Sequence, residues 1–245
     1  MPEAIPFFAL RLIAGIGLML LLMPRQRVTS EFFRILMLVC LGLGVVAALT
    51  TANGPWGSVL ICGVAFLGSV LWLLERRRGG EICLSLITAA GLWETARTVW
   101  RVADLGAISP GEMALSTVAS IGTLGATLSG MLLGHRYLTA PGMPLTPLQS
   151  LNNAVGVAGL LRLVFSSAMI ALHGLPGLSG VSLAWWLLRW VGGIIGPLVV
   201  WWLVRRILVY RNTQSATGVL FVGVILTFLG ELSGDLLCWS TKIPY

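Results

Sequence analysis

Eight apolar segments fill most of this 245-residue chain, and short polar connectors separate them. A helix that crosses a membrane needs about 20 mainly apolar residues. The segments lie at about residues 5–23, 33–52, 57–74, 82–102, 115–137, 151–172, 183–208 and 216–239. They lack the strict two-residue alternation of a membrane β-barrel. The sequence therefore predicts one all-α domain over residues 1–245, a polytopic integral membrane bundle of about eight transmembrane helices.

The composition is that of a membrane protein and argues against a nucleic-acid partner. Hydrophobic residues make up 57% of the chain and charged residues 10%, whereas soluble domains carry about 25% charged residues. The formal net charge of +7 comes from arginines in short connectors rather than from one basic face. We therefore predict that the chain contacts membrane lipids and binds no nucleic acid.

Arginine placement predicts the orientation of the bundle. Ten arginines lie in or beside the connectors that follow the first, third, fifth and seventh segments. They are Arg25, Arg27, Arg34, Arg76, Arg77, Arg78, Arg136, Arg205, Arg206 and Arg211. The opposite side holds Lys242 and the acids Asp104 and Glu112. Because cytoplasmic loops are rich in arginine and lysine, eight spans with both termini outside are predicted.

Charged residues inside the apolar segments are the main functional clue, since a charge in hydrocarbon costs a few kcal/mol or more. They are Arg11, Glu94, Arg97, Arg101, Arg189, Glu231 and Asp235. At about 1.5 Å per helical residue, most of them fall in the outer half of the membrane, whereas Arg162 falls nearer the middle. Spacing gives the fourth helix a stripe of charges and the eighth helix a stripe of two acids. We expect these two stripes to face each other.

Two interpretations of these charges remain open. In the first, they are buried ion pairs that only fix helix packing. In the second, they form a polar pocket that opens outward, binds a small polar headgroup and exchanges protons. The proton acceptors would then be Glu94 and Glu231. The pocket would be lined by Arg97, Arg101, Asp235, Arg189 and Arg11.

Other cofactor chemistry finds little support in the sequence. His135 falls at the inner end of the fifth helix and His173 at the outer end of the sixth, so they cannot ligate one haem together. The four cysteines have no CxxC spacing. Signatures of hydrolases, metalloproteases and nucleotide-binding proteins are absent. We therefore predict no metal site and no haem, and we keep a quinone as the candidate cofactor.

Residues 228–239, with the sequence FLGELSGDLLCW, resemble the last helix of the membrane-anchor subunits of DMSO-reductase-type molybdoenzymes. Residues 93–134 are similar too, with an arginine-containing helix, a short polar loop and a small-residue helix. Glu231 and Gly234 are the positions that match the motif. The resemblance implies eight spans, outer iron–sulfur and molybdenum subunits, quinol oxidation near the outer surface, and the bacterial inner membrane.

The leading hypothesis is an integral membrane subunit of a respiratory-type electron-transfer complex, which anchors soluble redox subunits at the outer face and binds quinol there. One alternative is a small-solute transporter or channel that the same charges line. Against it, the polar residues stop at mid-depth, and paired broken helices are not evident. The other alternative is a purely structural membrane subunit that packs lipid or pigment in a larger assembly.

Overall fold

The computed structural model describes residues 4–24, 27–51, 54–104, 109–140, 142–175 and 180–245, except for the side chains of residues 103 and 104. Arg25 and the side chain of Asp104, which enter the orientation argument, lie outside this description. The described part contains helices and no β-strand. The helices are α1 (Ala4–Leu22), α2 (Ser30–Thr50), α3 (Trp56–Leu73), α4 (Arg77–Asp104), α5 (Pro110–Thr139), α6 (Thr146–His173), α7 (Val181–Val209) and α8 (Thr213–Thr241).

Local sequence explains several of these boundaries. Proline, which has no amide hydrogen to leave unpaired, stands in the first turns of α5 and α6. The Asn212 side chain accepts a hydrogen bond from the Ser215 amide at 3.0 Å and caps α8. Gly174, with a φ of 77°, ends α6. Prolines and polar residues of a first turn belong to the helix but not to an apolar segment. The helices α4, α5 and α6 therefore each begin about five residues before the start of the corresponding predicted segment.

The prediction of an all-α membrane bundle is confirmed at the level of architecture. Within the described ranges, seven helices are long and apolar enough to cross a membrane, and α4 is the described helix outside this set. The length of α4, 28 residues, would suffice. Its charged residues, among them Glu94, Arg97 and Arg101, dilute the apolar run.

Two four-helix groups make up the bundle. In the first group, α1 packs against α2 and α4, and α3 packs against α2 and α4 as well, which closes a ring of four helices. In the second group, α5 packs against α6, α6 against α7, α7 against α8, and α8 against α5. The two groups meet mainly where α1 packs against α5, and these are the most enclosed of the seven apolar helices. Gly15 and Gly125 allow this approach, because a side chain on either one would overlap the backbone of the other helix.

The bundle has two chemically different ends. We call the end where α1 begins the upper end and the opposite one the lower end. At the upper end, His173 of α6 lies 3.0 Å from Glu112 of α5. At the lower end, Arg136 pairs with Glu31, and Arg27 donates to Thr146 Oγ1 at 3.1 Å. Nine of the ten connector arginines are described, and they lie at the lower end.

Candidate functional site

Five buried charged residues meet in the upper half of the bundle, and we call them the charge cluster. Its members are Arg11 of α1, Arg162 of α6, Arg189 of α7, and Glu231 and Asp235 of α8. Counted from the upper ends of their helices, they lie about 9 to 17 Å deep at about 1.5 Å per residue. Residues of four helices that are distant in sequence therefore come to similar depths because their helices alternate in direction.

Glu231 is the centre of the charge cluster and has no exposed surface. Arg189 Nη1 lies 2.8 Å from its Oε1, and Arg162 Nη2 lies 3.0 Å from its Oε2. Arg11 Nη1 is the third guanidinium group, 3.7 Å from Oε2. Each of these arginines is at most 2% exposed. Three guanidinium groups thus surround the Glu231 carboxylate, so no single neighbour provides all of its charge compensation.

Hydroxyl groups and one further acid complete the surroundings of the arginines. Arg162 Nη1 donates to the main-chain oxygen of Ser116 at 2.7 Å and to its Oγ at 2.8 Å. Arg11 Nη1 donates to Ser120 Oγ at 2.9 Å, and its Nη2 pairs with Asp235. The two serines are one turn apart on α5, so α5 presents a polar strip to the charge cluster.

Arg189 reaches Glu231 from a stretch of α7 that is wound as a π-helix, Leu188–Ile195. Its Nε donates to the main-chain oxygen of Tyr245 at 3.1 Å. Gly234 leaves room for the guanidinium group, since a Cβ at this position would lie 3.0 Å from Arg189 Nε. π-Helical turns are rare and frequently occur at functional sites. Here the wide π-helical turn brings the buried Arg189 side chain to Glu231 and Gly234 of α8.

Tyr245 closes the charge cluster from the upper end. It is 2% exposed, and its hydroxyl donates to the main-chain oxygen of Gly174 at 3.1 Å. Burial raises the pKa of the Tyr245 phenol above its usual value. The hydroxyl therefore stays protonated and keeps its role as a donor.

The charge cluster leaves little free space. The cavity beside it, between Arg11, Arg162, Asp235 and Tyr245, measures about 10 Å³. That volume admits about one water molecule. The charge cluster thus matches the first interpretation, a buried set of ion pairs that joins α1, α6, α7 and α8, with α5 attached through its serine hydrogen bonds.

The charges of α4 lie elsewhere. Arg97 Nη1 is 2.8 Å from Glu94 Oε1, one turn apart on the same helix, and the Arg97 side chain is 44% exposed. The helix packs against α1, α3 and α5, whereas the acids of α8 pair with α1, α6 and α7. The prediction that the charged stripes of α4 and α8 face each other is therefore wrong. Spacing gives the face of each helix but not the neighbour of that face.

A small polar pocket, which we call the upper pocket, lies between α4, α1 and the start of α3. Its polar lining consists of Thr51, Ser58, Glu94, Thr98 and Arg101, and its apolar lining includes Phe7 and Leu10. Gly57 of α3 makes room for Glu94, because a side chain at Gly57 would overlap the Glu94 carboxylate. The upper pocket measures about 20 Å³, so a ring-sized headgroup enters only where the pocket opens or another chain completes it.

The predicted site residues therefore separate into two groups. Arg11, Arg189, Glu231 and Asp235 come together in the charge cluster. On α4, Glu94 and Arg101 line the upper pocket, and Arg97 pairs with Glu94 outside that lining. Sequence reasoning missed Arg162 as a partner of Glu231, and it missed Ser116 and Ser120. Counting along α6 predicts the greater depth of Arg162, but it carries no information on which neighbouring helix its guanidinium group meets.

The described part of the chain contains no cluster of side chains of the kind that binds a metal ion. No group of three or more histidine, cysteine, aspartate or glutamate side chains there could hold a metal ion. Comparison of the chain with protein-family models, with curated proteins and with solved structures finds no match.

Proposed function

We propose that this chain is an integral membrane subunit of a multisubunit electron-transfer complex of the bacterial inner membrane. In this proposal α4 also crosses the membrane, which gives eight spans with both termini outside. The arginine-rich lower end supports that orientation, since it would face the cytoplasm. Soluble redox subunits dock at the upper end, and a quinol is oxidised at the upper pocket.

The observation that carries the proposal is the exposed face of α4. Trp93, Arg97 and Trp100 follow one another at helical spacing and are 66%, 44% (side chain) and 71% exposed. Trp93 lies about 16 Å below the upper end of α4, too deep for a headgroup belt. Tryptophan and arginine are enriched where proteins bind each other. In this proposal a membrane-embedded segment of a partner subunit covers this face and shields the Glu94–Arg97 pair from hydrocarbon.

The upper pocket supports the quinol step. Oxidation of a quinol to a quinone releases two protons and two electrons. In this proposal Glu94 accepts one proton from a quinol hydroxyl, and the second proton leaves toward the upper surface. Arg101 and Thr98, which also line the upper pocket, hydrogen-bond the ring oxygens. The electrons pass to an iron–sulfur subunit at the upper end. The small volume of the upper pocket fits a site that the partner completes.

The charge cluster has a different part in this proposal. Its ion pairs hold four helices together, and serine hydrogen bonds add α5, so the charge cluster maintains the surface that the partners contact. The role of Glu231 as a second proton acceptor stays a prediction. The quinol assay described next tests it with the variant Glu231→Gln.

The test is purification of the full chain with its partners in a mild detergent, followed by an assay with a soluble quinol analogue. We expect iron–sulfur or molybdenum subunits to copurify with the wild type and with Trp202→Ala, an exposed control on α7. The double variant Trp93→Ala, Trp100→Ala should lose them, because buried interface tryptophans commonly contribute more than about 1 kcal/mol each. Glu94→Gln should keep the partners and oxidise quinol about 100-fold more slowly.

Glu75→Gln, an exposed glutamate at the lower end, is the control for the rate. If the chain purifies alone or only with copies of itself, the electron-transfer function is wrong. If redox subunits copurify but Glu94→Gln keeps the wild-type rate, the upper pocket is not the site of proton transfer.

A further inference from the structure

A large space lies at the lower end of the bundle, between α6 and α7. Two adjoining cavities of about 510 Å³ and 640 Å³ share Gln149, Leu208 and Val209 in their linings. We call them together the lower groove. Each is within the range of ordinary ligand sites, about 300 to 1,000 Å³, and each is far larger than the upper pocket. The lower groove therefore has room for a ligand that the upper half lacks.

The lining of the lower groove changes from apolar to basic along its length. Toward the middle of the membrane, Val157 and Leu160 of α6 form an apolar wall. Toward the lower end, Arg205 and Arg211 border the groove. Both arginines are exposed, and no acid among the described residues forms an ion pair with either. The lower groove is thus positively charged at the lower end of the bundle and apolar toward the middle of the membrane.

Unpaired polar atoms line the groove between these two regions. Asn152, 2% exposed, donates through Nδ2 to the Trp201 main-chain oxygen at 3.1 Å, and its Oδ1 has no partner in the described structure. The indole nitrogen of Trp201 is buried and likewise unpaired. The Trp201 ring lies against Gly156, where a Cβ would be 2.6 Å from the ring. One acceptor and one donor are therefore available to a ligand.

The depths of these groups match one kind of ligand. Counted from the lower ends of their helices, Arg205 lies about 6 Å deep, Asn152 about 9 Å and Trp201 about 12 Å. A phosphate, then glycerol and ester oxygens, then acyl chains follow in the same order in a phospholipid. We propose that the lower groove binds one anionic glycerophospholipid of the leaflet at the arginine-rich end. Its phosphate meets Arg205 and Arg211, and its glycerol and ester oxygens meet Asn152 and Trp201.

Native mass spectrometry of the purified full chain tests this proposal. The probes are phosphatidylglycerol and phosphatidylcholine with identical acyl chains, titrated into the same detergent. We expect the wild type to retain phosphatidylglycerol at least about tenfold more strongly than phosphatidylcholine. The double variant Arg205→Gln, Arg211→Gln should weaken retention of phosphatidylglycerol about thirtyfold.

Two further variants separate a specific site from general attraction. Arg76→Gln, Arg78→Gln removes the same charge from the same end but away from the lower groove, and retention should change by less than about threefold. Val157→Trp fills the apolar wall at an exposed position and leaves both arginines in place, so it should also weaken retention.

Four outcomes would overturn the proposal. Equal losses in the two double-arginine variants would mean general electrostatic attraction, and unchanged retention in Val157→Trp would mean that no acyl chain occupies the groove. Displacement of the lipid by millimolar glycerol phosphate would indicate a site for soluble phosphates. Recovery of a quinone in place of the lipid would give the groove a different ligand.

Discussion

Glu231 has three guanidinium partners, and this arrangement decides what the residue can do. Replacing it would leave Arg11, Arg162 and Arg189 buried with Asp235 as the one acid of the charge cluster. Removing one partner of a buried ion pair is costly because the remaining charges stay desolvated without compensation. The Glu94–Arg97 pair is different, since one of its side chains is almost half exposed, and such pairs contribute little.

We therefore expect Glu231→Gln to lower the free energy of unfolding by about 3 to 5 kcal/mol. Glu94→Gln, the matched change in the exposed pair, should lower it by less than about 1 kcal/mol. Unfolding of the purified variants in mixed micelles with increasing denaturing detergent measures both. Equal stability of the two variants would show that the charge cluster does not hold the helices together.

The sequence predicted part of this residue-scale picture. Arg11, Arg189, Glu231 and Asp235 were assigned to one outer-half pocket because depth follows from counting residues along alternating helices. Arg162 is the deepest member of the charge cluster, as counting along α6 predicts, but depth alone does not reveal its partner. The pairing of Glu94 with Arg97 follows from their spacing, but the partners of Glu231 do not, because spacing along one helix carries no information on which helices surround it.

At the scale of the elements, close helix contacts depend on glycine. Gly230 of α8 lies against Gly193 in the π-helical stretch of α7, and a side chain at Gly230 would overlap the backbone there. Gly218, on the same helix, has no atom within 4 Å of the position that a Cβ would take. No apolar period in the sequence predicts a π-helix, since its cause is packing between two helices rather than local preference.

The two glycines give a matched comparison on one helix. Gly230→Ala should lower the free energy of unfolding by about 1 to 3 kcal/mol, because the added methyl group forces α7 and α8 apart. Gly218→Ala should leave it unchanged or raise it by up to about 1 kcal/mol, since alanine favours the helix. The same micelle titration decides between them. Equal effects of the two changes would mean that α7 and α8 can separate at little cost.

At the scale of the whole molecule, α4 decides how many times the chain crosses the membrane. It belongs to the first four-helix group as fully as its neighbours do, between α1 and α3. Its charges keep it outside the set of apolar spans, although most of them lie near its two ends or form the Glu94–Arg97 pair. The number of spans and the orientation both depend on α4. If α4 does not cross, the arginines of the connectors that follow it lie on the opposite side of the membrane from the predicted one.

Cysteine labelling tests the path of α4 directly. In a background without Cys40, Cys62, Cys83 and Cys238, we expect a membrane-impermeant maleimide to label Ser109→Cys in intact cells. Arg76→Cys, at the other end of α4, should react only after the membrane is opened. Identical labelling of the two positions would leave α4 on one side and would remove the eight-span topology.

The π-helical stretch of α7 determines how the structure would respond to the deletion of one residue. A π-turn holds about one residue more than an α-turn, and one residue corresponds to a rotation of about 100°. Shortening Leu188–Ile195 by one residue would restore a regular helix with every backbone hydrogen bond intact. It would also turn Arg189 away from Glu231 relative to the rest of α7. The chain thus tolerates substitutions on the outer side of α7 far better than a deletion there, and sequences that share this charge cluster should share the extra residue.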